Sequence, residues 1–160
     1  MARIDDVLRL VGQLNYVWTN TESLFIYLIE IMTKTNKEAS IVIFLTLNTT
    51  RARIDLLERL SKTSAVPKEM QSEVGSLMSQ LKKEAKLRNK YNHCIYSFDE
   101  NGEFGTTQLM RIAEFNNNMK YGKVESLDDD EIRRIQSAIT SVTEVNKAMW
   151  RFIRGNGIVA

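Results

Sequence analysis

The stretch Leu87–Phe98, LRNKYNHCIYSF, is where the chain changes its period. Up to it, Met70, Val74, Leu77, Leu81 and Leu87 return every three or four residues, the spacing of one apolar face of a helix. From it onward, CIYSF, DENG and EFGTTQL read as a small hairpin. Aromatic and β-branched residues stand on either side, and Asn101-Gly102 makes the turn. The stretch also holds the chain's one histidine and one cysteine. Where the helix ends therefore decides both the fold and the setting of the most reactive side chains.

Working outward, Pro67 in KTSAVPKEM suits the first turn of a helix and opens the segment that closes at this stretch, about 67–94. Upstream, Ile4, Val7, Leu8, Val11, Leu14, Val17, Trp18, Leu24, Phe25, Leu28, Ile31 and Met32 predict one amphipathic helix over about 3–35. The turn chemistry of TKTNKEAS separates it from a second helix, about 38–62, carried by Ile43, Phe44, Leu47, Ile54, Leu57 and Leu60. So short a connection makes the two antiparallel neighbours. Downstream of the hairpin, about 95–112, FNNNMKYGK reads as a loop. Ser126 or Asp128 then caps a last helix over about 128–154, and the tail GNGIVA frays. The expected fold is mostly α: a single domain over 1–160, like a four-helix bundle, with a small β-hairpin inserted before the last helix.

Composition narrows the function. Hydrophobic residues at 43% and charged residues at 26% describe an ordinary globular chain, and one proline with seven glycines favours long helices. A net charge of +2 does not by itself imply nucleic-acid binding, so the distribution of charge must carry that argument. One cysteine permits neither an internal disulfide nor a multi-cysteine zinc site, which fits a reducing cytosol. Asp5 and Asp6 stand where a signal peptide would carry positive charge, and LFIYLIEIM and IVIFLTL are too short to cross a bilayer. The expectation is a cytoplasmic chain without a membrane, cofactor or metal.

Several chemistries drop out. The run Asp128, Asp129, Asp130, Glu131 opens a helix, where carboxylates favour exposed amides, so it reads as a helix start rather than a cation site. A Cys94/His93 nucleophile pair fails because neighbours on a helix point about 100° apart. The chain has no glycine-rich phosphate loop and no GxSxG elbow. Arg88 and His93 remain, beside Lys82, Lys83, Lys86 and Lys90, with Glu84 opposing. These cations suit either the negative end of a helix or a bound phosphate. Asn89 and His93, four apart, share a helical face. Arg88 and His93 stand about 140° apart with about 7.5 Å of rise, so two copies meeting at these ends would present both pairs to one phosphate better than one copy does.

Arg88-Asn89-Lys90-Tyr91-Asn92-His93 resembles the R-x(4–6)-H signature of the HEPN superfamily, including the polar residue that follows the arginine. The resemblance implies a bundle of about four helices with the motif near the end of the third. It also implies a homodimer whose composite cleft sets Arg88, Asn89 and His93 of both subunits around the scissile phosphate of RNA. Tyr96, Lys90 and Asn92 would support them. Many members of the superfamily are metal-independent endoribonucleases, acting as toxins checked by a cognate antitoxin or in antiviral defence. One branch carries a tyrosine two places after the histidine; here Ile95 stands there and Tyr96 follows. The rival from another class is a non-catalytic helical module that binds a nucleotide, RNA or a protein.

Overall fold

A computed structural model of the chain describes residues 3–103 and 105–158. Phe104, within the expected hairpin, and Val159 and Ala160, the end of the expected frayed tail, lie outside the described residues. The helices are α1 (Ile4–Ser23), α2 (Phe25–Thr33), α3 (Lys37–Thr46), α4 (Thr50–Ser61), α5 (Lys68–Asn92) and α6 (Asp129–Gly155). Between α5 and α6 run β1 (Cys94–Phe98), β2 (Gly105–Leu109), β3 (Ile112–Phe115), β4 (Asn118–Tyr121) and β5 (Val124–Ser126). The chain is thus mostly helical with small antiparallel sheets before the last helix, and it packs as two compact units.

One unit comprises the chain up to Tyr16 together with Glu84–Thr140. Its core joins Val7, Leu10 and Leu14 of α1, one face by their spacing, to Tyr91 of α5, Cys94 of β1, Leu127, and Ile135 and Ala138 of α6. Strands β1, β2 and β5 form an antiparallel sheet in that order, paired from Cys94↔Leu109 to Phe98↔Gly105 and from Thr106↔Ser126 to Gln108↔Val124. Alternation turns Cys94 and Thr107 inward and Ile95 outward.

The hairpin is where the sequence places it, but Asn101-Gly102 is not its two-residue turn. The strands pair only out to Phe98 and Gly105, and Asp99 organises the connection. Its carboxylate accepts from the amides of Asn101 (3.0 Å) and Glu103 (2.8 Å). Gly102 takes φ +69°, which favours glycine, and its carbonyl accepts from the Ile4 amide at 3.0 Å. The two-residue turn lies instead in FNNNMKYGK, expected as a loop. Asn116 (φ 47°) and Asn117 (φ 64°) sit in the left-handed region between the paired Phe115 and Asn118, the type I′ pattern that closes β3 onto β4. The chain leaves this ribbon past Gly122, where a Cβ would lie 1.9 Å from the Leu109 carbonyl oxygen, so only glycine fits the crossing.

The other unit comprises Val17–Lys83 and the chain from Ser141. Here two expected helices are each broken in two. The first stops at Ser23 because Thr21 and Ser23 turn their hydroxyls back onto the carbonyls of Val17 and Asn20, both at 2.7 Å, and so compete with the helical ladder. The second breaks at Leu47, whose backbone is extended, and restarts where the Thr49 hydroxyl accepts from the Ala52 amide at 3.1 Å. Arg53 seals that corner. Its Nε donates to the carbonyls of Phe44 and Leu47 that end α3, and its Nη1 reaches Glu22 at 2.9 Å. Glu22, buried, also accepts from Trp18 Nε1 and from the Thr50 hydroxyl, so its charge is matched on every side. Thr49→Ala should lower stability by about 1 kcal/mol, read from chemical denaturation, with the change confined to the start of α4 in hydrogen exchange. No loss at all would mean that Arg53 alone sets the corner.

No helix among the described residues is long and apolar enough to cross a membrane.

Candidate functional site

Helix α5 starts where Pro67 lends its carbonyl to the Gln71 amide (3.0 Å) and ends at Asn92. Pro67 therefore stands just before the helix and not within its first turn. At the other end, the His93 amide reaches the Lys90 carbonyl (3.2 Å), a tightened last turn, and Cys94 already belongs to β1. His93 thus lies one residue past the helix. The helix from which the separation of about 140° from Arg88 and the face shared with Asn89 are expected ends one residue before the histidine. The Met110 amide donates to its carbonyl at 3.3 Å, which holds the histidine at the junction of helix and sheet.

Around this junction the motif residues divide into two groups. Asn89, Asn92 and His93 are exposed, and Arg88 is half-buried with its guanidinium donating from Nη1 to the Asn89 side-chain oxygen at 3.1 Å. That bond holds the outer end of the guanidinium beside the Asn89 amide, while its Nε is buried. Lys90, Tyr91 and Tyr96 turn inward. Lys90 Nζ lies 2.5 Å from Glu125 of β5 and 2.7 Å from Glu131 of α6. The Tyr91 hydroxyl donates to the same Glu131 carboxylate at 2.5 Å, and Arg134 approaches its other oxygen at 3.3 Å. The Tyr96 hydroxyl donates to the Tyr91 carbonyl at 2.5 Å.

Electrostatics follow from these contacts. Burial alone would lower Lys90, but its bonds to Glu125 and Glu131 outweigh that and hold its pKa above the usual lysine value. Glu125, bonded to Lys90, is held below the ordinary carboxylate range. Burial and then the Glu131 bond push the Tyr91 phenol far up, and burial does the same for Tyr96, so both stay neutral. Cys94 is raised by burial, which leaves a protonated, weakly nucleophilic thiol.

The positive field expected at this helix end is accordingly smaller than the sequence suggests. Lys90 is matched by two carboxylates, and Lys82 pairs with Glu58 of α4. The reading that only Glu84 opposes the cluster is corrected by these three acids, which fold back from β5, α6 and α4. Sequence reasoning missed Glu125 and Glu131, which lie 35 and 41 residues from Lys90 and carry no local spacing signal. The acidic run divides in the same way. The Asp128 carboxylate caps α6 by accepting from the Glu131 amide at 2.8 Å, and Glu131 is buried. No group of three or more metal-ligating side chains gathers among the described residues.

The exposed side chains of this junction are thus the amides of Asn89 and Asn92 and the imidazole of His93, with the half-buried Arg88 bonded to Asn89. No family model, curated protein or solved structure matches the chain.

Proposed function

We propose that the chain is a metal-independent endoribonuclease of the HEPN type, with Arg88, Asn89 and His93 as its acting residues and its helices arranged as that family's bundle. The observation that carries the reading is the pairing of Arg88 with Asn89 at the surface, within five residues of an exposed histidine at the end of a long helix. Two copies would join these groups in one cleft around an RNA phosphate. The RNA 2′-oxygen attacks the adjacent phosphorus, a new P–O bond forms, and the bond to the 5′-oxygen breaks. His93 takes the 2′-proton or gives one to the departing oxygen. Arg88 holds the negative charge on the non-bridging oxygens, a task that suits a permanently charged fork. RNA supplies its own nucleophile, which explains why the reading needs no metal. A cytoplasmic toxin held by an antitoxin, or a defence nuclease, is the setting this chemistry fits.

The test is product chemistry. Wild-type protein incubated with RNA in excess chelator should leave 2′,3′-cyclic phosphate ends, detected by mass spectrometry of the fragments. Intact RNA under those conditions would favour the second reading, a non-catalytic binding module. The exposed apolar strands beside the site speak for that reading.

A further inference from the structure

The sheet and ribbon of this unit leave a connected apolar surface that the fold does not use. Ile95 and Val124 flank Gln108 on the outward face of β1-β2-β5 and are 48% and 56% exposed. Met110, 61% exposed, leads into the ribbon, where Ile112 faces Tyr121 across the strands and Met119 shares their side. Ile95, Met110, Ile112 and Tyr121 line one groove of about 500 Å³. Every residue of β3 and β4 is exposed. A two-stranded ribbon with no buried face is marginal in water and needs a third layer to persist. Its open edges and clustered apolar side chains also mark it as an association surface.

We infer that a second copy of the chain docks on this face, ribbon against ribbon. Area supports that occupant. Six apolar side chains, each about half exposed or more, offer on the order of 100 Å² apiece, or about 600 Å² per copy and about 1,200 Å² for the pair, the lower end of stable interfaces. Charge supports it too. Glu114 shares the Ile112, Met119 and Tyr121 side of the ribbon and Arg111 lines the groove, so a two-fold copy can set each against the other. The groove adjoins the junction already described, because the Met110 amide bonds the His93 carbonyl. Docking here sets two copies of that junction near each other. This last consequence, unlike the docking, rests on the ribonuclease reading.

Light scattering after size exclusion, at tens of micromolar protein, tests the inference. Wild type should show twice the 18.5 kDa chain mass, and the Ile112→Ser/Tyr121→Ser variant should return to one. Both side chains are exposed, so its helical circular dichroism should match wild type. Phe115→Ser, which alters the opposite side of the ribbon, should remain a dimer. A monomeric wild type, or a double variant that still dimerises, overturns the proposal; a monomer is also the outcome if the face serves a different protein. A wild-type dimer that the variant splits, but that leaves RNA intact, keeps the docking face and rejects the nuclease. RNA cleavage by a double variant that remains a dimer does the reverse: it keeps the nuclease and rejects the docking face.

Discussion

Glu131→Ala should lower the stability of the fold by about 3–5 kcal/mol, the usual cost of removing one partner from a buried ion pair. The carboxylate is only 8% exposed and collects Lys90, the Tyr91 hydroxyl and Arg134, so its loss leaves a half-buried ammonium and a buried phenol short of a partner. Glu131→Gln keeps the volume and one acceptor and should cost less. Urea denaturation followed at 222 nm separates the two, and equal stability of Glu131→Ala and wild type would show that the network is incidental. The pH dependence has a definite sign. Glu125 has a lowered folded pKa, so its contribution is present above the unfolded carboxylate value, about 4.3, and is lost as pH falls through the folded one. Lys90 has a raised folded pKa, so its contribution is complete below the unfolded value, about 10.4, and is lost as pH rises through the folded one. Stability from this network should hold across the neutral range and weaken at both ends.

Arg88→Ala and His93→Ala should each reduce RNA cleavage by about 10²–10⁴-fold, the range a positioned acid, base or oxyanion partner supplies. His93 is exposed and past the end of α5, so its alanine variant should fold like wild type, and the loss should appear in kcat. Asn89→Ala should have a smaller effect, because Asn89 aims Arg88 through one bond. Lys90→Ala should act differently from all three. Its ammonium is bound between Glu125 and Glu131, so the loss should register as unfolding before it registers as activity. A variant of Lys90 with full stability and no cleavage would move the lysine into the site.

The sequence made the helical faces legible because burial imposes a period. Val7, Leu10 and Leu14 point inward as their spacing requires, and the change at Cys94 marks the start of the sheet. Breaks inside helices were harder to read. The apolar pattern runs straight through Leu24, and only the hydroxyls of Thr21 and Ser23, bonding backward, mark the interruption. At Leu47 the cue was Asn48-Thr49-Thr50, weak helix formers of which Thr49 caps α4 at Ala52, set inside a continuing apolar pattern. The ribbon was missed because Asn116 and Asn117 supply left-handed turn residues without the usual glycine. For the candidate site, the short-range elements were legible: Arg88 beside Asn89, and a histidine at the helix end. The network under them was not, since no periodicity links Lys90 to Glu125 and Glu131 across 35 and 41 residues.

The most direct measurement is cleavage of total RNA in chelator by wild type and His93→Ala, run side by side at matched folded concentration. The account predicts fragments with cyclic-phosphate ends from wild type and intact RNA from His93→Ala. Equal cleavage by the two proteins, or none by a folded wild-type dimer, would contradict it.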